Sequence, residues 1–213
     1  MRRLPWVLVG VAGSIAGPLG CKDDRPAAPE PPAAAPRVLA GVYPDQWKCD
    51  SVAAPDALGR IFGGAVTQLA SAITMPRGLP HPCSYEVHLR EPEFWTFDVD
   101  CRDGMKQRAD ALFAQYRTTS RELVQQYDAL SDAGAIKPTD SGVEVRPPED
   151  AVEVAVGAKG LDHHGRGLVF IDDDAPCYVR VVGKDAARRL ELARLLATHL
   201  TFANAPMTPR AQP

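Results

Sequence analysis

The sequence predicts an α+β fold: an antiparallel sheet of about five strands with helices packed on it, stapled by disulfides. Three observations point to it. Short runs with period-two alternation come in adjacent pairs instead of alternating strictly with helices. Separate segments carry apolar residues at helical spacing. Four cysteines, Cys49, Cys83, Cys101 and Cys177, are spread across the same region.

Taken in order, Pro55 suits a first helical position, and Leu58, Ile61, Phe62, Val66, Leu69 and Ile73 recur at helical spacing up to Pro76. Gly63 and Gly64 either let this helix pack closely or split it. Cys83 to Leu89 and Phe94 to Cys101 alternate, with Tyr85, Val87 and Leu89 on one face of the first run and Trp95, Phe97 and Val99 on one face of the second. They predict a hairpin turning at Glu91-Pro92-Glu93. Met105, Ala109, Leu112, Phe113 and Tyr116 then form a helical stripe. Thr119 with Glu122 reads as a capping box opening another helix, carried by Leu123, Val124, Tyr127 and Leu130 and stopped by Gly134. Val152 to Val156, Leu168 to Ile171 and Cys177 to Val182 predict three further strands, the last two joined by a turn at Asp172-Asp173-Asp174 and Pro176. A final helix from Ala186 carries Leu190, Ala193, Leu196, Ala197 and Leu200. The division expected is a leader over 1–20, a Pro/Ala-rich tether over 21–41, one domain over 42–203 and a disordered tail over 204–213.

A domain of this length can bury a proper core. The chain has 213 residues and a formal charge of −3, so no global electrostatic case for nucleic acid arises. Arg2 and Arg3, the short apolar run from Trp6 to Ala16, and Gly17-Pro18-Leu19-Gly20-Cys21 read as a cleaved export signal. That run is too short for a spanning helix. The junction resembles that of bacterial lipoproteins, with Gly20 before an acceptor Cys21; Pro18 and Leu19 depart from the usual residues. The resemblance implies fatty acylation of Cys21, anchoring in the cell envelope, and a domain facing the periplasm or the exterior. The Pro/Ala-rich stretch from Lys22 to about Arg37 reads as a semi-rigid stalk.

In an exported chain, four further cysteines read as two disulfides, and none of them stands at zinc-knuckle spacing to another. Cys49 with Cys83 and Cys101 with Cys177 is the preferred pairing, because each bond would tie a flanking segment to the sheet. Cys83 with Cys101, opposite each other on a hairpin, is the rival.

The order of Cys49, a helix before Cys83-Ser84-Tyr85, a second strand, and a late strand pair leading to an Ala/Leu-rich helix resembles small envelope lipoproteins of unknown function. Their fold is similar to the extracellular sensor domain of some bacterial receptor kinases. Gly157-Ala158-Lys159-Gly160-Leu161 and Gly165-Arg166-Gly167 match that family's glycine-bearing segment. Cys101, Cys177, the long helical insert and the His pair are not part of the pattern. The resemblance implies a fold and an address, and it carries over no functional residue.

The sharpest candidate chemistry is Asp162-His163-His164 with Asp172, Asp173 and Asp174 across the expected hairpin, a donor set suited to a divalent transition metal. Adjacent histidines on an extended strand point to opposite sides, so the preferred reading is a solvated polar loop and a charged turn. His81 before Pro82-Cys83 suggests a thiol–imidazole pair, outweighed by oxidation of Cys83 to a disulfide. No serine sits in a nucleophile elbow, and Gly63-Gly64 and Gly160 to Gly167 do not make a phosphate loop. Phe94, Trp95 and Phe97 read as core or as a partly exposed stacking face. The expectation is therefore a non-catalytic module with no cofactor, meeting the membrane through its lipid and another envelope protein or a small ligand through its sheet face or loops. A metal-binding lipoprotein and an unrecognised hydrolase are the alternatives.

Overall fold

The computed structural model describes residues 38–134 and 149–212. The expected leader, the expected acylation site Cys21 and the tether up to residue 37 lie outside them. In chain order the elements are β1 (Leu39–Ala40), α1 (Pro55–Phe62), β2 (Ala65–Leu69), β3 (Cys83–His88), β4 (Glu93–Asp100), α2 (Met105–Asp132), β5 (Val152–Val154), β6 (Lys159–His163), β7 (Gly167–Ile171), β8 (Tyr178–Val182), α3 (Ala186–His199) and β9 (Arg210–Ala211). Strands β2 to β8 form one antiparallel sheet in the order β2-β3-β4-β8-β7-β6-β5, and β1 pairs with β9 in a separate two-stranded sheet.

The α+β class and the antiparallel sheet are as the sequence predicts, and the strand count is higher: seven in the main sheet against about five. One added strand is β2. Pro55 starts α1, but Gly63 adopts a left-handed conformation (φ 73°) and donates its N–H to Gly59, ending the helix. Val66 and Leu69, expected on a longer helix, therefore lie on an edge strand paired with β3. The other is β6, expected as loop, which pairs with both β5 and β7. A third difference is α2, one helix of 28 residues without a break at Thr119. There the Thr119 and Ser120 hydroxyls donate back to the carbonyls of Gln115 and Tyr116, so no capping box forms.

The main apolar core lies on the face of the sheet covered by α1 and α3. Tyr85, Trp95, Phe97, Leu168, Phe170, Val179 and Val181 meet Leu58 and Phe62 of α1 and Leu192, Ala193 and Leu196 of α3. Alternation along β3, β4 and β8 places these side chains inward. Trp95 packs 4.6 Å from Phe62, ring centre to ring centre, and presses on the backbone at Gly183, where a Cβ would meet the Trp95 ring at 2.1 Å. Asp185 caps α3 by accepting the Arg188 N–H at 2.8 Å.

On the opposite face α2 covers the β6–β7 region with a smaller cluster: Phe113, Tyr116, Leu161, Val169 and Ile171. Strand β7 is buried on both sides and belongs to both clusters.

Two disulfides, Cys49–Cys83 and Cys101–Cys177, staple the α1–α3 side. Register explains the second: Asp100 lies opposite Tyr178, so Cys101 and Cys177 follow one step beyond the β4–β8 ladder. Register also removes the rival pairing, because Cys83 faces Phe97, four residues short of Cys101.

The boundaries expected at 42 and 203 also move outward. Leu39 and Ala40, assigned to the tether, pair with β9, and Gly41 and Val42 donate to the carbonyls of Ala203 and Ala205. Residues 204–212, expected as a disordered tail, return along this segment. Ala205 and Met207 are buried, and the Trp47 indole donates to the Asn204 carbonyl at 3.0 Å. Partners from the other end of the domain order this Pro-rich stretch.

Candidate functional site

Alternation along β6 decides where the sequence-predicted cluster goes. Lys159, Leu161 and His163 face α2, while Gly160 and Asp162 face α3. Asp162 accepts two hydrogen bonds from Arg189 of α3, Nε to Oδ1 and Nη2 to Oδ2, both 2.7 Å. Arg189 is fully buried and also donates to the Gly183 carbonyl at 2.7 Å. A fork-to-fork pair of this kind satisfies both charges inside the fold. Asp162 is thus a structural counter-ion, not a member of a solvated loop.

On the other side, His163 is 2% exposed and stands edge-on to Tyr116, ring centres 6.4 Å apart. The Tyr116 hydroxyl donates to the Gly167 carbonyl at 2.7 Å, and burial pushes its pKa up to about 12. Arg166 lies over the Tyr116 ring at 4.3 Å and donates to the Tyr116 carbonyl (3.0 Å) and the Ser120 hydroxyl (3.4 Å). Burial, and then the Arg166 charge, hold the His163 imidazole below its ordinary pKa, against the opposing pull of Asp162 and the Glu149 backbone.

The aspartate triplet does not join His163. Lys159 faces Ile171 and His163 faces Gly167, so Asp172 lies beyond the far end of the hairpin from His163, about 17 Å along the strand at 3.3 Å per residue. Asp172 is buried; its Oδ2 accepts the N–H groups of Asp174 (3.1 Å) and Ala175 (2.7 Å), and its Oδ1 has no hydrogen-bond partner. Burial pushes its pKa up to about 6. Asp174 accepts the Phe202 N–H at 3.0 Å. These carboxylates bracket the β7–β8 turn. Among the described residues no three His, Cys, Asp or Glu side chains come together as a metal-ligand set.

The remaining sequence candidates also separate. Cys83 is in a disulfide, so no thiol stands beside His81. Trp95 and Phe97 belong to the core, and of the three aromatics only Phe94 faces outward, 65% exposed. Stacking on Trp95 or Phe97 is thereby ruled out.

An open groove of about 1190 Å³ lies where four connections meet: Tyr43–Asp45, Ser71–Leu79, Cys101–Asp103 and Met207–Arg210. Ile73 (63% exposed) and Tyr43 (48% exposed) give it apolar surface. Two of its cations are tied to carboxylates. Arg102 forks onto Asp100 at 3.0 and 2.7 Å, which raises its pKa, and Arg210 meets Asp103 at 2.5 Å. The side chains of Arg77, His81 and Asp45 have no hydrogen-bond or ion-pair partner among the described residues. A recess of about 390 Å³ next to it shares Ser71 and His81 and includes Trp47 and Gln68. The groove can therefore offer apolar contact with both signs of charge, arranged by loops that the Cys101–Cys177 bond and the β1–β9 pair hold in place.

Sequence reasoning missed Arg189, Arg166 and this groove. Arg189 left a signal: it stands four residues before Ala193 and seven before Leu196, on the apolar face of α3, where a cation needs a carboxylate. The groove left none, since it is made of loops far apart in the chain. Among the described residues no helix is long and apolar enough to cross a membrane. Comparison of the chain with protein-family models, with curated proteins and with solved structures finds no match in any of the three.

Proposed function

We propose that the protein is a lipid-anchored, non-catalytic binding module of the bacterial envelope, acylated on Cys21, whose groove beside residues 71–79 receives another envelope protein or a small ligand. The observation that carries the reading is the groove itself, in which Arg77, His81 and Asp45 have no side-chain partner among the described residues and stand beside exposed Ile73 and Tyr43. Charged groups left unpaired within an amphipathic recess favour orientation of a bound partner. Two features agree with the address: the export-type leader over 1–20 just before Cys21, and two disulfides, which persist in oxidising compartments.

Two arms test this. Fatty-acid labelling should mark the wild type and fail in Cys21→Ala, and the variant should leave the membrane fraction; equal labelling contradicts the anchor. A photo-crosslinker placed at Ile73 in the membrane-bound protein should give a discrete adduct that Arg77→Glu reduces at least fivefold. Yields no higher than from the same probe at exposed Lys106 contradict a groove-binding role.

A further inference from the structure

A proton on His163 would break a contact that the fold makes to its ring. Its Nδ1 accepts the Gly165 N–H at 3.1 Å, so the ring proton belongs on Nε2, which is buried. An imidazolium carries protons on both nitrogens. A proton added at Nδ1 would point straight at the Gly165 N–H. The next residue is Arg166, whose guanidinium fastens this turn to α2 through the Tyr116 carbonyl, the Ser120 hydroxyl and the face of the Tyr116 ring.

We infer that the turn His164-Gly165-Arg166 is an acid-released latch on α2: a proton from solvent on His163 Nδ1 displaces the Gly165 N–H, the turn opens, and Arg166 leaves Tyr116 and Ser120.

The groups around the ring set the direction. From its own strand, Asp162 lies on the reverse face with its carboxylate held by Arg189 of α3. From the turn come His164 and the Arg166 cation, and from α2 the Tyr116 ring and the Ser120 hydroxyl, neither charged near neutrality. From the segment before β5 comes the Glu149 backbone. Burial, Arg166 and His164 disfavour the imidazolium; Asp162 and the Glu149 backbone favour it. Since the folded ring binds its proton less readily than the ordinary value of 6.5, the closed latch is favoured above that pH, and acid below it favours opening. Opening frees the part of α2 beyond Ser120, whose side chains are already mostly exposed and which carries Leu123, Val124, Tyr127 and Leu130. The device is independent of the groove and of any ligand there.

The test is NMR on the intact isotope-labelled protein. At pH 7.5 the His163 ring should be the Nε2–H tautomer. Between pH 7.5 and 5.0, protection of the Gly165 amide and of amides 121–132, corrected for intrinsic exchange, should fall at least tenfold while Trp95 in β4 stays protected. In His163→Asn, whose Oδ1 can accept the Gly165 N–H without titrating, that protection should stay flat. An Nδ1–H tautomer, unchanged wild-type protection, a loss spreading equally to β4, or an equal loss in His163→Asn would each overturn the latch. Should the variant not fold, the wild-type tautomer and profile decide.

Discussion

The two faces of the sheet are closed by different physics. Under α1 and α3 lie most of the large apolar side chains, both disulfides, and the Asp162–Arg189 pair, each of whose charges meets its partner twice. Under α2 lie five buried apolar side chains and a set of polar contacts: Tyr116 to Gly167, Arg166 onto Tyr116 and Ser120, Lys159 to Asp110 and Arg117 to Glu153. The ion pairs of Lys159 and Arg117 are exposed, and such pairs contribute little. Large buried apolar area and covalent staples make one face cooperative with the whole fold. The other face can open by itself, because few contacts must be lost to open it.

The largest expected effect is on the α3 face. Asp162→Ala leaves the Arg189 cation buried without its carboxylate and should cost about 4 kcal/mol in urea unfolding. A cost under about 1 kcal/mol would mean that this face is not held by the pair.

Next is the pH dependence on the same face. Asp172 has a folded pKa of about 6 against an ordinary 3.8, so the folded state binds its proton more readily. Its favourable contribution is complete below about pH 4 and lost as pH rises through 6, a change of about 3 kcal/mol for a shift of about two units. Asp172→Asn should therefore gain on the wild type by roughly 2–3 kcal/mol between pH 4 and pH 7, read as the difference between their stability profiles. His163, on the α2 face, has the opposite sign: acid weakens what it holds. A flat difference for Asp172→Asn would remove this contrast.

The smallest effect belongs to α2. Tyr116→Phe removes one hydrogen bond to the Gly167 carbonyl and should cost about 1 kcal/mol or less in global unfolding. A loss as large as that of Asp162→Ala would show both faces to be one cooperative unit.

The two faces also differed in how legible they were. Trp95, Phe97, Val99 and the apolar stripe of α3 were readable because their period is local, and the preferred cysteine pairing followed from the same strands. Val66 and Leu69 misled because their spacing fits a continued helix; the left-handed Gly63 broke it. β6 was hidden for another reason. In Lys159-Gly160-Leu161-Asp162-His163 only Leu161 looks like core, and Asp162 and His163 become interior solely through Arg189, Tyr116 and Gly165, contributed by elements that nothing local in the sequence connects. The candidate groove was illegible for the same reason, while the tail over 204–212 looked disordered until Trp47 and β1 supplied its partners.

Residue-resolved amide exchange of the native protein at pH 7.5 tests the difference between the faces most directly. Amides of Val179, Val181, Leu192 and Leu196 should exchange only by global unfolding, and those of residues 121–132 at least about a hundredfold faster through local opening. Equal protection of α2 and β8 would contradict it.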